Sequence, residues 1–189
     1  MSGFAAAMVL AAGRGERMRP LSDVLPKPAL PLPEGPVVAS AMRLAATAGA
    51  RRIVVNTWHL GALMAAAVAE VALPGVEILL SPEPSLMGTA GGLALARDRG
   101  LLDGEGPILV LNGDGVLDLD LAPLAARHEA GGNLVTLALR PHPDPRRWSR
   151  VLLAADGRVE AMLAAGPPAP AENAMLYPGV MVVAREALA

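Results

Sequence analysis

A doubly wound α/β fold around a mostly parallel sheet is what this sequence predicts, on three observations. Short apolar runs alternate with segments whose apolar residues recur at helical spacing. The runs are apolar throughout, as strands buried on both faces are, rather than alternating with polar residues. Turn-forming clusters follow the runs at Gly13–Gly15 and Asn112–Asp114, where open α/β sheets place their ligands.

Phe4–Leu10 reads as the first strand and ends at the glycine loop. Pro36 is suited to the first position of a helix, and Val37–Ala48 continues that helix until Gly49 closes it. Arg51–Asn56, with its Ile-Val-Val, is the second strand, and Leu60–Val71 is an alanine-rich helix stopped by Leu73-Pro74-Gly75. Val76–Leu80 is a strand, Thr89–Arg99 a helix and Pro107–Leu111 a strand. Leu121–Ala130 is a helix ended by Gly131-Gly132, and Leu134–Leu139 is a further strand. The pattern then changes to a late antiparallel hairpin: Val151–Leu153, a turn at Asp156-Gly157, and Arg158–Leu163. Gly166–Glu172 is a Pro/Ala-rich loop, Tyr177–Val183 a last strand, and a helix begins at Arg185.

The 189 residues suit one domain with a sizeable core. Apolar residues make up 53% but aromatics only 2%, so Ala, Val, Leu, Ile and Met must build that core, with Met42, Met64 and Met162 as fillers. A net charge of −2 gives no general attraction to nucleic acid or to a membrane surface, so any anion site must be local. The absence of cysteine excludes disulfides and thiolate chemistry. No apolar run approaches the ~18 residues of a membrane span, and Phe4–Ala12 has no preceding basic residue, so it reads as a strand rather than a leader. A cytoplasmic protein is the expectation.

Three stretches carry chemistry. The first is Gly13-Arg14-Gly15-Glu16-Arg17, followed by Pro26-Lys27-Pro28. Glycines let backbone N–H groups approach an oxyanion, and Arg14, Arg17, Arg19 and Lys27 outweigh Glu16 and Asp23 there. Lys27 is the only lysine among 16 basic residues. A compact ammonium suits a crowded polyphosphate where a wide guanidinium does not. Read blandly, the stretch is a solvated arginine-rich turn. Neither a third glycine nor a Gly-Lys-Ser/Thr follows, so it is not a dinucleotide fingerprint or a Walker loop. The second stretch, Asn112-Gly113-Asp114, ends an apolar strand; its aspartate suits Mg²⁺ with water and phosphate oxygens, or is a simple Asx turn. The third, Gly88-Thr89-Ala90-Gly91-Gly92, opens a helix where backbone can lie against a flat ring or an anion, or is just a helix start.

Other residues are set aside. His59, His128 and His142 lack metal-ligand spacing and read as structural. Arg146, Arg147 and Arg150 around Trp148 read as a solvated loop before a phosphate clamp, and Asp118 and Asp120 as a helix-start cap before metal ligands.

In this order the three stretches resemble the sugar-1-phosphate nucleotidyltransferase family over nearly the whole chain. Asn56-Thr57-Trp58-His59-Leu60-Gly61 is most similar to its uridylyl- and guanylyltransferase members. The resemblance implies a Rossmann-like mixed sheet of the nucleotide-diphospho-sugar transferase type. It implies nucleotidyl transfer from a nucleoside triphosphate to a sugar 1-phosphate, with Mg²⁺ as cofactor. It assigns Leu10, Ala11, Gly13, Arg14, Gly15, Gly88, Thr89 and Gly91 to the nucleotide, Arg17 and Lys27 to the phosphates, Asp114 to the metal, and Asn112 and Gly179 to the sugar. A nucleotide-binding module without turnover, or an enzyme with another phosphorylated acceptor, are the alternatives. The sequence departs from the family twice. Where the family carries Glu-Lys-Pro, Leu163-Ala164-Ala165-Gly166-Pro167 is uncharged, and no second metal aspartate precedes Ala189. With one metal carboxylate and an apparently truncated end, slow turnover is expected, together with an apolar patch near Tyr177–Val183 that a homo-oligomer would bury.

Overall fold

The computed structural model describes residues 3–141, 144, 148–165 and 174–188. In chain order its elements are β1 (Ala6–Leu10), α1 (Leu21–Val24), β2 (Pro31–Leu32), β3 (Gly35–Pro36), α2 (Val38–Thr47), β4 (Arg52–Thr57), α3 (Gly61–Ala69) and β5 (Glu77–Pro82). Then follow α4 (Gly88–Asp98), β6 (Ile108–Asn112), α5 (Ala122–Gly131), β7 (Val135–Leu137), β8 (Arg140–Pro141), β9 (Arg150–Leu153), β10 (Val159–Leu163), β11 (Ala174–Leu176) and β12 (Val180–Val183). Single 3-10 turns lie at Glu16–Met18, Lys27–Ala29 and Arg185–Leu188. Among the described residues no helix is long and apolar enough to cross a membrane.

The chain forms two compact units, Met1–Thr136 with Met181–Ala189, and Leu137–Val180. A six-stranded sheet in the order β5-β4-β1-β6-β12-β7 runs through the first. β1 pairs in parallel with β4 and β6, and β4 with β5. The Ala184 N–H donates to Leu134 O and the Ala138 N–H to Val180 O, an antiparallel sense that makes the sheet mixed. β1, β4 and β6 are buried almost end to end, which accounts for their unbroken apolar sequence. Met8, Ala6, Val54, Ile108, Val110 and Val183 pack with Leu93 and Ala96 of α4 into one cluster. α2 buries Val38, Ala39, Ala41, Met42 and Ala45 along one stripe. In the second unit a four-stranded sheet, β10-β9-β11-β8, contains the antiparallel β9–β10 hairpin closed at Asp156-Gly157.

Several expectations need correction. Pro36 does not open α2: it pairs with Pro31 in the β2–β3 ribbon, and the helix starts at Val38. The strand expected over Tyr177–Val183 begins only at Val180, as β12, and Tyr177–Gly179 is a non-strand link from β11. Pro178 has no N–H to give a ladder, and Gly179 has φ 90°, so both break the strand. The helix expected from Arg185 is a 3-10 turn. Leu188 at its end packs on the core cluster, and Val180, Val182 and Val183 are buried, so β12 itself is covered; among the described residues, the exposed apolar residues beside it are Leu134 and Val135. Met162 is 61% exposed and fills no core. Arg150 is buried in β9 rather than solvated. The Gly166–Glu172 loop, Arg146, Arg147 and His142 lie outside the described residues.

His128 of α5 is a core histidine, its Nδ1 2.9 Å from the Thr136 hydroxyl. Burial holds its imidazole below the ordinary value of 6.5, against the weaker opposing pull of Glu129 and Glu186. The unfolded chain therefore takes up this proton at higher pH than the folded one. Its contribution to stability is full above 6.5 and is lost as pH falls from there towards the lowered folded value. We expect His128→Gln to flatten the fall in melting temperature between about pH 7.5 and 5.5. Parallel wild-type and variant curves would assign that fall to other groups.

Candidate active site

Strand register assembles the site. Leu10 lies opposite Asn56 on one side and Asn112 on the other, and Asn56 lies opposite Ser81. These residues form a row at the carboxyl ends of four strands. The segments that follow, from Ala11, Thr57, Pro82 and Gly113, all leave the sheet at the same edge.

Gly113 is required for the turn after β6. Its N–H donates to Leu10 O at 2.9 Å. A Cβ there would lie 2.9 Å from Val9 Cγ1 and 3.1 Å from the Leu10 carbonyl oxygen. The next residue, Asp114, thereby projects over the end of β1. Its loop is tied to α2 by Leu117 N–H donating to Ser40 Oγ at 2.9 Å.

Lys27 reaches the same point from the other direction. Buried Pro28 and the 3-10 turn Lys27–Ala29 hold its backbone. Its Nζ lies 2.7 Å from Asp114 Oδ2, with the two side chains 29% and 43% exposed. An ion pair that wet contributes about 0–1 kcal/mol, little enough for a polyanionic ligand to open it.

The glycine loop arches over this pair. Gly15 takes φ 65°, a left-handed conformation that other residues adopt at a cost, and a Cβ there would come within 3.2 Å of Lys27 Cβ and 3.3 Å of Ser22 Cβ. The Arg14 guanidinium stacks 5.0 Å from the Trp58 ring centroid. His59 Nε2 donates to the Ser22 carbonyl oxygen at 2.7 Å, a structural role. The segment after β4 thus braces the glycine loop and the Ser22 turn.

A cleft of about 230 Å³ opens between these elements. Of the residues predicted from sequence, Leu10, Ala11, Gly13, Gly15, Lys27, Gly88, Thr89, Asn112 and Asp114 line it. Arg14 and Arg17 do not line it: Arg14 is turned onto Trp58, and Arg17 is exposed on the Glu16–Met18 turn. Gly91 sits one turn inside α4 against Met87, where a Cβ would come within 2.8 Å of Met87 Cβ. Gly179 belongs to the second unit, between β11 and β12.

Sequence reasoning missed Asn56 and Glu83 as lining residues. Both are polar, both are buried, and both sit where a strand ends or has just ended. Polarity at the carboxyl end of an otherwise apolar strand was the available signal. Asp120 accepts the Ala122 N–H at 2.9 Å from one residue before the cap position of α5, which Leu121 occupies. Among the described residues no group of three or more His, Cys, Asp or Glu side chains could hold a metal. Of the two lining carboxylates, Glu83 is engaged by two N–H donors, whereas among the described residues Asp114 holds only the weak Lys27 pair. A single half-exposed aspartate oxygen fits Mg²⁺, which keeps several waters and takes its remaining ligands from substrate phosphates.

A family model of nucleotidyl transferases matches residues 6–164. The chain belongs to the nucleotidyl transferase family. Among curated members it is 45% identical over 115 residues to N-acetylmuramate alpha-1-phosphate uridylyltransferase of Neisseria meningitidis serogroup B, covering 60% of this chain and 48% of that one. It is 32% identical over 173 residues to mannose-1-phosphate guanylyltransferase of Mycobacterium tuberculosis, covering 90% of this chain and 47% of that one. The chain spans just under half the length of these curated relatives. UDP-glucose pyrophosphorylase from Acinetobacter baumanii shares the fold, with a TM-score of 0.80 at 18% identity over 98% of this chain and 76% of that one. The Rossmann-like mixed sheet expected from the resemblance is therefore the family's own.

Two glycines at this edge of the sheet should respond differently to alanine. Gly113→Ala should cost about 1–3 kcal/mol in denaturant unfolding, because backbone and Val9 must give way. A methyl added at Gly13 would meet nothing within 4 Å, so Gly13→Ala should change stability by less than about 0.5 kcal/mol. Equal losses would show that the space over Gly13 closes in solution.

Proposed function

We propose that this chain transfers a nucleoside monophosphate from a nucleoside triphosphate to a sugar 1-phosphate, releasing pyrophosphate. The observation that carries the reading is the Lys27–Asp114 pair, 2.7 Å apart at the mouth of a glycine-lined cleft on the carboxyl edge of the sheet. It places a compact cation and a hard oxygen ligand side by side where backbone leaves room for phosphates.

In the reaction an oxygen of the sugar phosphate attacks the α-phosphorus, and a new P–O bond forms. The bond from the α-phosphorus to the bridging oxygen breaks, and pyrophosphate leaves with that electron pair. The attacking group is already an anion, so no general base is needed. The protein's work is alignment and charge neutralisation. Gly13 and Gly15 give the triphosphate close backbone approach. Lys27 leaves Asp114 to bridge the attacking oxygen and the α-phosphate. Leu10, Ala11, Gly88 and Thr89 form the walls against which the nucleoside lies, Arg14 and Arg17 supply positive field around the outer phosphates, and Asn112 is assigned to the sugar. Asp114 would hold Mg²⁺, which when bound neutralises phosphate charge.

Pyrophosphate release from a panel of nucleoside triphosphates mixed with sugar 1-phosphates and Mg²⁺ tests this reading. Release should require both substrates. Lys27→Ala should lower the transfer rate about 100-fold or more while weakening triphosphate binding far less, and Lys27→Arg should not restore it. Asp114→Asn should remove activity together with the Mg²⁺ response. Equal losses in rate and binding for Lys27→Ala would take that lysine out of the transition state, and an unchanged Mg²⁺ response in Asp114→Asn would remove Asp114 from the metal.

A further inference from the structure

Along the lining of the cleft, through Asn56 and Glu83, runs a chain of buried hydrogen bonds. The Ala11 N–H donates to Asn56 Oδ1 at 2.7 Å. Asn56 Nδ2 donates to Glu83 Oε1 at 2.7 Å. The Met87 N–H donates to Glu83 Oε2 at 3.0 Å. Asn56 is 3% exposed and Glu83 7%. The chain thus links the end of β1, the end of β4 and the start of α4.

Its chemistry is directional. Two donors, one from an amide side chain and one from the backbone, point at the two oxygens of one carboxylate. Only a double acceptor satisfies both, and a glutamine cannot, since its NH₂ would face a donor. A buried carboxylate is costly unless it is hydrogen-bonded, and here the N-terminal end of the eleven-residue α4 also favours the negative charge. The packing is built around it: a Cβ on Gly92 would lie 2.7 Å from Glu83 Oε1 and 3.0 Å from Asn56 Nδ2.

We propose that Asn56 and Glu83 are positioning residues, a buried strut that sets the gap between the Leu10–Gly13 floor of the cleft and its Gly88–Thr89 wall. The strut acts through Ala11 and Met87, which adjoin that floor and wall. A ligand with a flat ring between them is gripped only if that gap is right. This rests on the reading of the cleft as a triphosphate site.

The network has one substitution pair that preserves it. Glu83→Gln alone sets donor against donor. Asn56→Asp alone sets carboxylate against carboxylate. Made together, they keep all three hydrogen bonds and the net charge: the acid at position 56 accepts from the Ala11 N–H and from the new amide at 83, whose oxygen accepts the Met87 N–H.

Calorimetric titration with UTP and with GTP, well below the melting temperature of the least stable variant, tests the strut. For whichever triphosphate wild type binds, each single substitution should weaken binding about tenfold or more, at full stoichiometry. The double variant should return to within about twofold of wild type. If a single variant does not fold, Asn56→Ser, too short to span both partners, should show the same loss. Single variants that melt earlier yet bind normally would make the network structural only and overturn the proposal. So would a double variant no better than the singles. Wild type that binds neither triphosphate would instead overturn the reading of the cleft itself.

Discussion

The parallel pairing of β1 between β4 and β6 is the constraint on which the rest of the molecule depends. Parallel pairing sends every following loop out of the same edge, and the register aligns Leu10, Asn56 and Asn112 in one row. The strands are buried, and a one-residue slip would turn every side chain to the other face. Ala11, Asn56, Glu83 and Asp114 are far apart in sequence but held within one cleft because this register leaves no alternative.

The two polar clusters on that edge are built for different tasks. Asn56 and Glu83 are almost fully buried and each is bonded on both sides. Removing one partner there leaves an unsatisfied buried group, at about 1–3 kcal/mol or more when it is charged. Lys27 and Asp114 are partly exposed, and their pair is worth about 1 kcal/mol at most. The first cluster holds the walls still; the second can be rearranged by an incoming anion. The carboxylate of Glu83 already takes the N-terminal end of α4, which makes that wall unfavourable for a second negative charge.

Much of this was legible in the sequence. The β1, β4, β5 and β6 strands and the α2 to α5 helices fall where apolar runs and helical spacing put them, because buried strands and amphipathic helices carry their own patterns. Lys27 was legible because it is the only lysine in the chain, and Asp114 and the loop glycines because each stands at a turn after a strand. What failed was local turn chemistry: Pro36 suits a helix start but lies in a two-residue ribbon, and Pro178-Gly179 delays the last strand to Val180. Asn56 and Glu83 escaped because a single polar residue at a strand end does not announce its partner. Their pairing depends on β4 and β5 being neighbours, which is a property of the sheet. Arg14 likewise reads as a phosphate ligand from its place in the loop, while the structure turns it onto Trp58.

Occupation of the cleft at Lys27 by a triphosphate can be tested on this chain with unusual directness, because Lys27 is its only lysine. An amine-directed acylating reagent can modify only Lys27 and the N-terminal amine, and the latter serves as an internal reference in the mass spectrum. With Mg²⁺ and a nucleoside triphosphate present, acylation of Lys27 should fall sharply while that of the N-terminus stays constant. Undiminished acylation of Lys27 under a triphosphate that binds the protein would place that ligand elsewhere and contradict the account.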